Sequence, residues 1–341
     1  MESSKLINSK SRVVSGARTT GALHLGHYHG VLKNWVALQS QHECFFFAAD
    51  WHALTTEYEN PQKIQAHTCE MLLDWLGAGL DPKQCTLFVQ SQVPQHAELH
   101  VLLSMMTPLS WLERVPTYKE MRDKLKTKHL ATYGFLGYPL LQAADILAYQ
   151  ADIVPVGEDQ ISHIELTREI ARHFNFLYKD QGGPLLVEPQ ALLTKTSKMP
   201  GLDGQKMSKS YQNTINLRED PESTSQKIKT MATDPARARR SDPGDPQKCA
   251  VFALHQIYSS EQTQAWVQTG CTTAGIGCLE CKKPLIESIL AEQAVIRARA
   301  EPYKKDPDLL KDILQEGSKK ARVVAEQTLS LVRTRLGLTV L

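Results

Sequence analysis

Short apolar segments alternate with helical segments along the first half of the chain, and this alternation limits the fold more than any other feature. The clearest segment is the run Cys-Phe-Phe-Phe-Ala-Ala at residues 44–49, which ends at Asp50. A continuous apolar run of this length is typical of a strand buried on both faces of a parallel sheet. Shorter strand signals lie at residues 12–15, 86–89 and 154–156. The pattern predicts the α/β class, with a Rossmann-like, doubly wound parallel sheet.

Helices are predicted between these strands. One covers residues 25–39, and another follows Asn60-Pro61, which is an N-cap with proline at the first helical position, and stops at residues 77–79. An apolar-rich helical insertion at about 92–130 interrupts the alternation, and we expect it to form a domain or subunit interface. Strand signals fade after about Asn213, so we predict a domain boundary near residue 212 and helices beyond it.

Composition and charge narrow the possible class of protein only slightly. The 341 residues are 42% hydrophobic and 22% charged, and 39 basic against 37 acidic residues give a net charge of +2. This usage is that of a globular chain, and the charge argues only weakly for nucleic acid. We expect a cytoplasmic protein without a membrane partner, because the N-terminus lacks the apolar core of a signal peptide and no apolar run could span a bilayer. The seven cysteines are then expected to be thiols or metal ligands.

The first motif with chemical meaning is His24-Leu-Gly-His27, between a predicted strand and a predicted helix. Gly26 lets a nucleotide approach the backbone, and the helix N-terminus favours a phosphate group. Both imidazoles could donate to phosphate oxygens. Taken alone, the pattern fits two exposed loop histidines equally well.

The second motif is Lys206-Met-Ser-Lys-Ser210, which follows a glycine-flanked segment. Two lysines on a mobile loop can reach the β- and γ-phosphates of a nucleotide and follow the charge as it leaves. A solvated basic loop is the alternative.

The two motifs, in this order and about 180 residues apart, resemble those of class I aminoacyl-tRNA synthetases. The segments Gly137-Tyr-Pro-Leu-Leu-Gln-Ala-Ala-Asp-Ile-Leu147 and Val154-Pro-Val-Gly-Glu-Asp-Gln160, followed by residues 163–168, are similar to the bacterial tryptophanyl enzymes. The resemblance runs from residue 13 to residue 216 and more loosely to the C-terminus. It implies a catalytic domain at 1–212 whose insertion forms the dimer interface, a helical anticodon-binding domain at 213–341, and a homodimer.

The resemblance also implies the reaction. Tryptophan would attack ATP, accompanied by Mg²⁺, to give tryptophanyl-adenylate and pyrophosphate, and tryptophan would then pass to the 3′ end of its tRNA. Positioning and charge stabilisation would carry the catalysis, because no side chain needs to act as a nucleophile. The residues assigned to catalysis are His24, His27, Lys206 and Lys209.

For tryptophan, the resemblance assigns Asp145 as acceptor of the indole N–H. The residues agree, since Tyr138, Gln142 and Asp145 share one helical face and an indole N–H can only donate. The alternative is a buried carboxylate satisfied by backbone N–H groups. His52 and Gln160 match other positions of the amino-acid pocket, and Gln160 with Tyr138 could hold the α-ammonium group.

For ATP, the matching positions form a larger set, and Lys119 of the insertion is a further candidate for a phosphate contact, with a solvated helix lysine as the alternative. Gln142, Arg18 and His27 differ from the methionine, glutamine and asparagine common at those positions in the family. The ATP set is Arg18, Thr19, Thr20, Gly26, His27, Gly157, Glu158, Asp159, Met199, Lys206, Met207, Ser208, Lys209 and Ser210.

Four cysteines of the second half, Cys249, Cys271, Cys278 and Cys281, have the donor chemistry of a [4Fe–4S] cluster or a structural zinc. The region around residues 274–281 resembles that of a minority of tryptophanyl-tRNA synthetases, which carry a [4Fe–4S] cluster in the anticodon-binding domain. Free thiols are the third possibility. For the other cysteines, Cys44, Cys69 and Cys85, we expect core packing.

Two basic groups of the second half are candidates for contact with a single-stranded anticodon loop. One is Lys282 with Lys283, beside the cysteines, and the other consists of Arg237, Arg239 and Arg240. A solvated charge run is the alternative for the arginines.

Three rival functions stay open at this stage. A tyrosyl-tRNA synthetase has the same fold and reaction. A small-molecule nucleotidyltransferase shares the histidine motif but would not predict the lysine motif or a helical second domain. A non-catalytic RNA-binding paralogue should have lost phosphate-binding residues, yet both motifs are intact.

Overall fold

The parallel sheet predicted from the strand signals is present in the structure, a computed structural model that describes residues 10–116, 132–193 and 199–339. Its strands are β1 (Arg12–Arg18), β2 (Glu43–Ala49), β3 (Cys85–Val89), β4 (Ile153–Val156) and β5 (Gln190–Leu193). They lie in the order β3-β2-β1-β4-β5, with parallel pairing throughout. Because the strand order reverses between β1 and β4, the sheet is doubly wound, and a crevice forms at that point.

Strand β2 is buried on both faces, as its continuous apolar run predicts. Cys44 and Phe46 belong to the core on one face of the sheet, and Phe45 and Phe47 to the core on the other. The ring of Trp35 stacks on Phe46, with centroids 4.4 Å apart. Apolar side chains therefore cover both faces of the sheet, which is the burial that a central parallel strand requires.

Helices pack on both faces. In chain order they are α1 (Leu25–His27), α2 (Lys33–Leu38), α3 (Asp50–Glu57), α4 (Ile64–Ala78), α5 (Gln95–Ser104), α6 (Leu109–Glu113), α7 (Tyr133–Leu147), α8 (Ile161–Leu177), α9 (Pro221–Thr230), α10 (Ala250–Tyr258), α11 (Glu261–Thr272), α12 (Cys278–Lys305) and α13 (Pro307–Arg335). Among the described residues, the chain beyond 213 is helical, as predicted.

The predicted helical bounds hold within a few residues. The helix predicted at 25–39 consists of α1, a π-helical turn at Tyr28–Leu32, and α2. The helix predicted after Asn60-Pro61 begins with a 3₁₀ turn at Pro61–Lys63 and continues as α4. It ends at Gly79, whose φ of 110° is a left-handed conformation that favours glycine.

The structure differs from the sequence predictions at two places. Strand β5 has no strand signal, because all four of its residues are exposed and it pairs only at the sheet edge with β4. Cys69 does not pack in the core and is exposed, since it lies on the outer side of α4, while Cys44 and Cys85 are buried as expected.

The helical second half packs against the sheet and its flanking helices. Helix α12 crosses α4 at Gly77, where an added Cβ would lie 2.8 Å from the Ile296 carbonyl oxygen. Helix α13 meets the backbone of β3 at Gly317, where an added Cβ would overlap the Leu87 carbonyl oxygen. The boundary near residue 212 stays a prediction, and the last helix shares a core with the sheet.

In the described ranges, we find no helix that combines the length and the apolarity needed to cross a membrane.

Candidate active site

A cavity of about 590 Å³ opens where strands β1, β2 and β4 end. Ligands of doubly wound sheets bind in this crevice, beyond the carboxyl ends of the strands. Gly16 of β1 lies on the cavity wall, and an added Cβ there would overlap the ring of Phe47. A glycine at this position therefore lets the Phe47 ring lie against β1.

The five residues predicted for the amino-acid pocket all line this cavity. Tyr138, Gln142 and Asp145 project from one face of α7, as the helical spacing predicts, and His52 and Gln160 lie beside them. Gln142 Nε2 lies 3.4 Å from Gln160 Oε1 and donates a hydrogen bond to it. Gln160 Nε2 in turn donates to Asp159 Oδ2 at 3.0 Å. The polar groups of α7 are thus linked to the loop after β4.

Asp145 is 1% exposed, and three side chains donate to its carboxylate. The ring nitrogens His52 Nε2 and His96 Nδ1 lie 2.7 and 2.6 Å from its oxygens, and Gln90 Nε2 lies 2.8 and 2.9 Å from them. Burial would raise the pKa of Asp145, but hydrogen bonds and charge from His52 and His96 hold that pKa below its usual value. The partners of this carboxylate are therefore side chains, where the alternative interpretation expected backbone N–H groups.

The partners behind Asp145 are residues that the sequence interpretation missed. Gln90 directly follows strand β3, so the rule that sites form at the carboxyl ends of strands would have indicated it. His96 and Tyr149 carried no such signal. Both are completely buried, and His96 Nε2 lies 2.6 Å from the Tyr149 hydroxyl group. Their role depends on contacts between α5 and α7, which the sequence does not show.

At the other end of the cavity, the rings of the two motif histidines lie in contact, tilted by 33° to each other. The ring centroids of His24 and His27 are 3.7 Å apart, and an added Cβ on Gly26 would lie 3.0 Å from the His24 ring. Burial lowers the pKa of His24 to about 3 and of His27 to about 4, and the charges of Lys209 and Lys206 add to both shifts. Both imidazoles are therefore neutral near pH 7, so they can offer N–H donors but no positive charge.

The lysine motif lies against the loop that precedes the histidine motif. Lys209 Nζ donates to the carbonyl oxygen of Thr20 at 2.7 Å, and burial lowers the pKa of this lysine. The backbone N–H of Ser208 donates to Asn213 Oδ1 at 2.7 Å. The fold thus brings together two motifs that are far apart in the sequence, and it presents two lysines beside two neutral histidines.

The residues predicted for ATP are divided between the cavity wall and its surroundings. The side chains of Met199 and Met207 are buried in the core, so they hold the lysine segment and do not face the cavity. Lys119 lies outside the described residues. On the wall are Arg18, Thr20, His27, Gly157 and Asp159. Behind or beside it are Thr19, His24, Gly26, Glu158, Lys206, Ser208, Lys209 and Ser210.

The four cysteines of the second half lie near one another. Burial raises the pKa of Cys281 to about 12, and the charges of Cys249, Cys271 and Cys278 add to this rise. Arg237 Nη1 lies 3.7 Å from Cys271 Sγ. Across the residues that the structure describes, no three His, Cys, Asp or Glu side chains stand as a group that could hold a metal ion.

Two basic residues predicted for RNA contact are buried beside these cysteines. Lys282 is 3% exposed, and its ammonium group donates to the carbonyl oxygens of Lys229 and Met231, both at 2.7 Å. Arg237 is 8% exposed and donates to the Ile276 carbonyl oxygen at 2.5 Å. These two residues therefore stabilise the fold and are not exposed for RNA. Lys283, Arg239 and Arg240 are exposed.

A doubly wound sheet with a histidine motif after β1 and a lysine motif beside it defines a class I aminoacyl-tRNA synthetase. The sequence profile of the family described as tRNA synthetases class I (W and Y) matches residues 6–291.

Relatives narrow the assignment. The tryptophan–tRNA ligase of Ralstonia nicotianae is 54% identical, over 96% of this chain and 98% of the relative. That of Thermotoga maritima is 51% identical and covers 96% of this chain and 99% of the relative. The crystal structure of a Campylobacter jejuni tryptophanyl-tRNA synthetase, complexed with ADP and tryptophan, superposes with a TM-score of 0.86 at 33% identity, over 96% of this chain and 100% of that one. The chain belongs to this family, and within it to the tryptophan–tRNA ligases.

Proposed function

We propose that the cavity holds tryptophan at its Asp145 end and ATP at its histidine end. Asp145 would accept the indole N–H in place of one of its present donors, and His52 is the donor that also lies on the cavity wall. Gln160 and Tyr138, at the mouth of this end, would hold the α-ammonium group. His27, Thr20 and Gly157 line the part of the wall assigned to ATP.

In the first step, a carboxylate oxygen of tryptophan attacks the α-phosphorus of ATP. A phosphorus–oxygen bond forms, the bond to the bridging oxygen breaks, and pyrophosphate leaves with the electron pair. His24 and His27 donate N–H groups to phosphate oxygens, and Lys206 and Lys209 stabilise the charge that develops on pyrophosphate. The Mg²⁺ that accompanies ATP neutralises part of the phosphate charge.

In the second step, a hydroxyl group of the 3′-terminal adenosine of the tRNA attacks the carbonyl carbon of the adenylate. The ester bond forms, AMP leaves, and the hydroxyl proton passes to a phosphate oxygen or to water. Both steps rely on positioning and on charge stabilisation by the enzyme. Because tRNA is its second substrate, we propose that the protein acts in the cytoplasm.

The observation that carries the tryptophan assignment is the buried Asp145 carboxylate on the cavity wall, with its three side-chain donors. The experiment is amino-acid-dependent exchange of pyrophosphate into ATP, measured with tryptophan and with tyrosine. We expect exchange with tryptophan only. Exchange with tyrosine would favour the tyrosyl alternative, and no exchange with either would favour the non-catalytic alternative.

The helical region beyond residue 212 would bind the anticodon, and Cys249, Cys271, Cys278 and Cys281 would hold a [4Fe–4S] cluster, with zinc as the alternative, although among the described residues the four thiols do not stand as a group that could hold a metal ion. Cys249 is the N-cap of α10 and Cys278 is the first residue of α12, and a helix N-terminus favours a thiolate. The charges of Cys278, Cys249 and Cys281 act on the buried Lys282 ammonium group, whose pKa burial lowers. A buried cation beside three of the four thiols suits an anionic thiolate centre. When bound, the cluster would join segments that lie far apart in the sequence.

We also propose a homodimer through the insertion. Of its described part, Val101, Met105 and Leu109 are 48%, 77% and 57% exposed, and Tyr133 nearby is 69% exposed. Exposed apolar side chains concentrated in one region mark an association surface. The molar mass in solution tests this, and Met105→Glu should shift the protein towards the monomer.

A further inference from the structure

Asp74 is a buried carboxylate that the sequence interpretation did not single out. It lies on α4 and is 1% exposed. Its Oδ2 accepts a hydrogen bond from the backbone N–H of Leu23 at 2.5 Å, and its Oδ1 accepts one from Arg218 Nε at 2.7 Å. Burial raises the pKa of Asp74, and the charge of Arg218 and the Leu23 N–H oppose that rise. Burying a carboxylate without such donors is unfavourable, so Asp74 depends on the hydrogen bonds from both Leu23 and Arg218.

The two donors to Asp74 come from the two motif segments. Leu23 directly precedes His24, and Arg218 follows the lysine motif by a short stretch of chain. Between them the segments form a short antiparallel pairing. The N–H of Leu25 donates to the Ile215 carbonyl oxygen at 3.0 Å, and the N–H of Leu217 donates to the Leu23 carbonyl oxygen at 2.9 Å. Asp74 thus binds one residue from each side of this pairing.

The charge of Asp74 also acts on the lysine motif. Burial lowers the pKa of Lys209, and the negative charge of Asp74 opposes this change. On the histidine side, a Cβ added to Gly26 would lie 3.7 Å from Met207 Cβ, so the two motifs run close to each other. A displacement of one motif by an ångström would therefore change the distances between the histidines and the lysines that act on the same phosphates.

We propose that Asp74 and Arg218 form a positioning pair that sets the register between the histidine motif and the lysine motif. The proposal rests on the proposed phosphate roles of these motifs. Since Asp74 and Arg218 do not line the cavity, and Leu23, which Asp74 binds, lies on its wall beside the histidine motif, the pair governs the rate of adenylate formation and leaves tryptophan affinity unchanged. Misplacement of about 1 Å can lower a rate by about 100-fold.

A residue that only stabilises the fold would give a different pattern. Its loss would lower the folded fraction, and it would affect kcat and tryptophan binding together. Glu70 provides a matched control, because its carboxylate also contacts Arg218, at 2.5 Å, but is half exposed and is not bonded to Leu23. The control separates loss of a charge near Arg218 from loss of the link between the motifs.

The experiment measures tryptophan-dependent pyrophosphate exchange and tryptophan affinity of the full-length protein in the variants Asp74→Asn and Glu70→Gln. We expect Asp74→Asn to lower kcat at least about 10-fold with tryptophan affinity within about twofold of the wild type. Glu70→Gln should change both quantities less than about twofold. An unchanged kcat in Asp74→Asn, or an equal loss of kcat and of tryptophan affinity, would overturn the proposal.

Two further variants cover the remaining cases. If Asp74→Asn does not fold, Arg218→Lys and Arg218→Met replace it. Arg218→Lys keeps a positive charge beside Asp74, so its kcat should be higher than that of Arg218→Met, with equal tryptophan affinity in the two variants. Equal kcat values in the two variants would overturn the proposed role of the pair. Failure of the proposed function would look different, because the wild type itself would then show no exchange with tryptophan, or Lys209→Ala would exchange normally.

Discussion

Lys209 Nζ donates a hydrogen bond to the carbonyl oxygen of Thr20 at 2.7 Å, and this contact joins the lysine motif to the loop that follows β1. In the absence of a nucleotide, the lysine thus has a backbone acceptor at the edge of the cavity. A phosphate oxygen that carries more negative charge would compete for the same ammonium group, because hydrogen bonds between charged groups are the stronger ones.

Lys209→Ala should therefore lower the rate of adenylate formation by about 100-fold or more, the usual effect of removing one group that stabilises developing charge. Tryptophan affinity should stay within about twofold, since Lys209 is absent from the wall of the cavity. Pyrophosphate exchange and equilibrium binding of tryptophan measure the two quantities. Lys248→Ala is a suitable control, because that side chain is 73% exposed. Equal exchange by Lys209→Ala and wild type would contradict the role.

Asp145→Ala should remove the preference for an indole N–H, because alanine leaves no acceptor. A hydrogen bond to a charged acceptor contributes about 1.5–3 kcal/mol, which corresponds to about 10- to 100-fold in affinity. We expect the wild type to prefer tryptophan over its benzothiophene analogue by this factor, and the variant to bind the two about equally. Gln142→Met, which changes the same helical face and removes the bond to Gln160, should keep the preference. An unchanged preference in Asp145→Ala would exclude Asp145 as the acceptor.

The buried histidines predict how stability depends on pH. The folded-state pKa values are about 3 for His24 and about 4 for His27, below the ordinary value of 6.5. As pH falls below about 6.5, the unfolded chain therefore binds protons that the folded chain does not. The contribution of the neutral histidines to the free energy of unfolding is therefore fully present above pH 6.5. It is lost as pH falls towards 4, by at most about 1.4 kcal/mol per pH unit for each histidine.

Denaturant unfolding at several pH values between 7.5 and 5 checks this prediction. His27→Asn should reduce the loss of unfolding free energy with falling pH, because it removes one of the depressed histidines while keeping a polar side chain. A slope identical to that of the wild type would show that His27 contributes nothing to the pH dependence.

The cysteine cluster predicts metal content. Protein purified without oxygen should contain about four iron and four sulfide per chain, with the visible absorption of a [4Fe–4S] cluster. Cys278→Ser should lose it, while Cys69→Ser should retain it, since Cys69 is exposed and far along the chain from the group. Zinc in place of iron would support the alternative centre. Absence of any metal from the wild type would remove the cofactor and leave the ligase function unaffected.

Gly317→Ala should destabilise the protein by about 3 kcal/mol or more, because the new methyl group would overlap the Leu87 carbonyl oxygen and push α13 away from β3. Gly134→Ala is the matched control. That glycine also lies in a helix, but among the described residues no atom other than those of its chain neighbours and its own helix backbone stands within 4 Å of an added Cβ. Its unfolding free energy should stay within about 1 kcal/mol of the wild type. Equal unfolding midpoints of the two variants in denaturant would contradict the close packing.

Much of the fold was predictable because it depends on local patterns. The apolar run at residues 44–49 needs cover on both faces, which only a central strand provides, and β2 has this environment. The spacing of Tyr138, Gln142 and Asp145 likewise placed them on one face of α7, and all three line the cavity. Strand β5 was missed because its exposed residues carry no hydrophobic pattern.

By itself, the sequence determined the parallel sheet, the two motifs and the family, since each depends on residues that are close together in the chain. Only the tertiary structure decided which residues are buried and which side chains hold the site residues in place. Lys282 and Arg237 carry the same charge as surface residues, yet the packing around the cysteines buries both. The donors to Asp145 and Asp74 likewise come from elements far apart in sequence. Hydrogen bonds between distant segments depend on how the helices pack, and no local pattern encodes them.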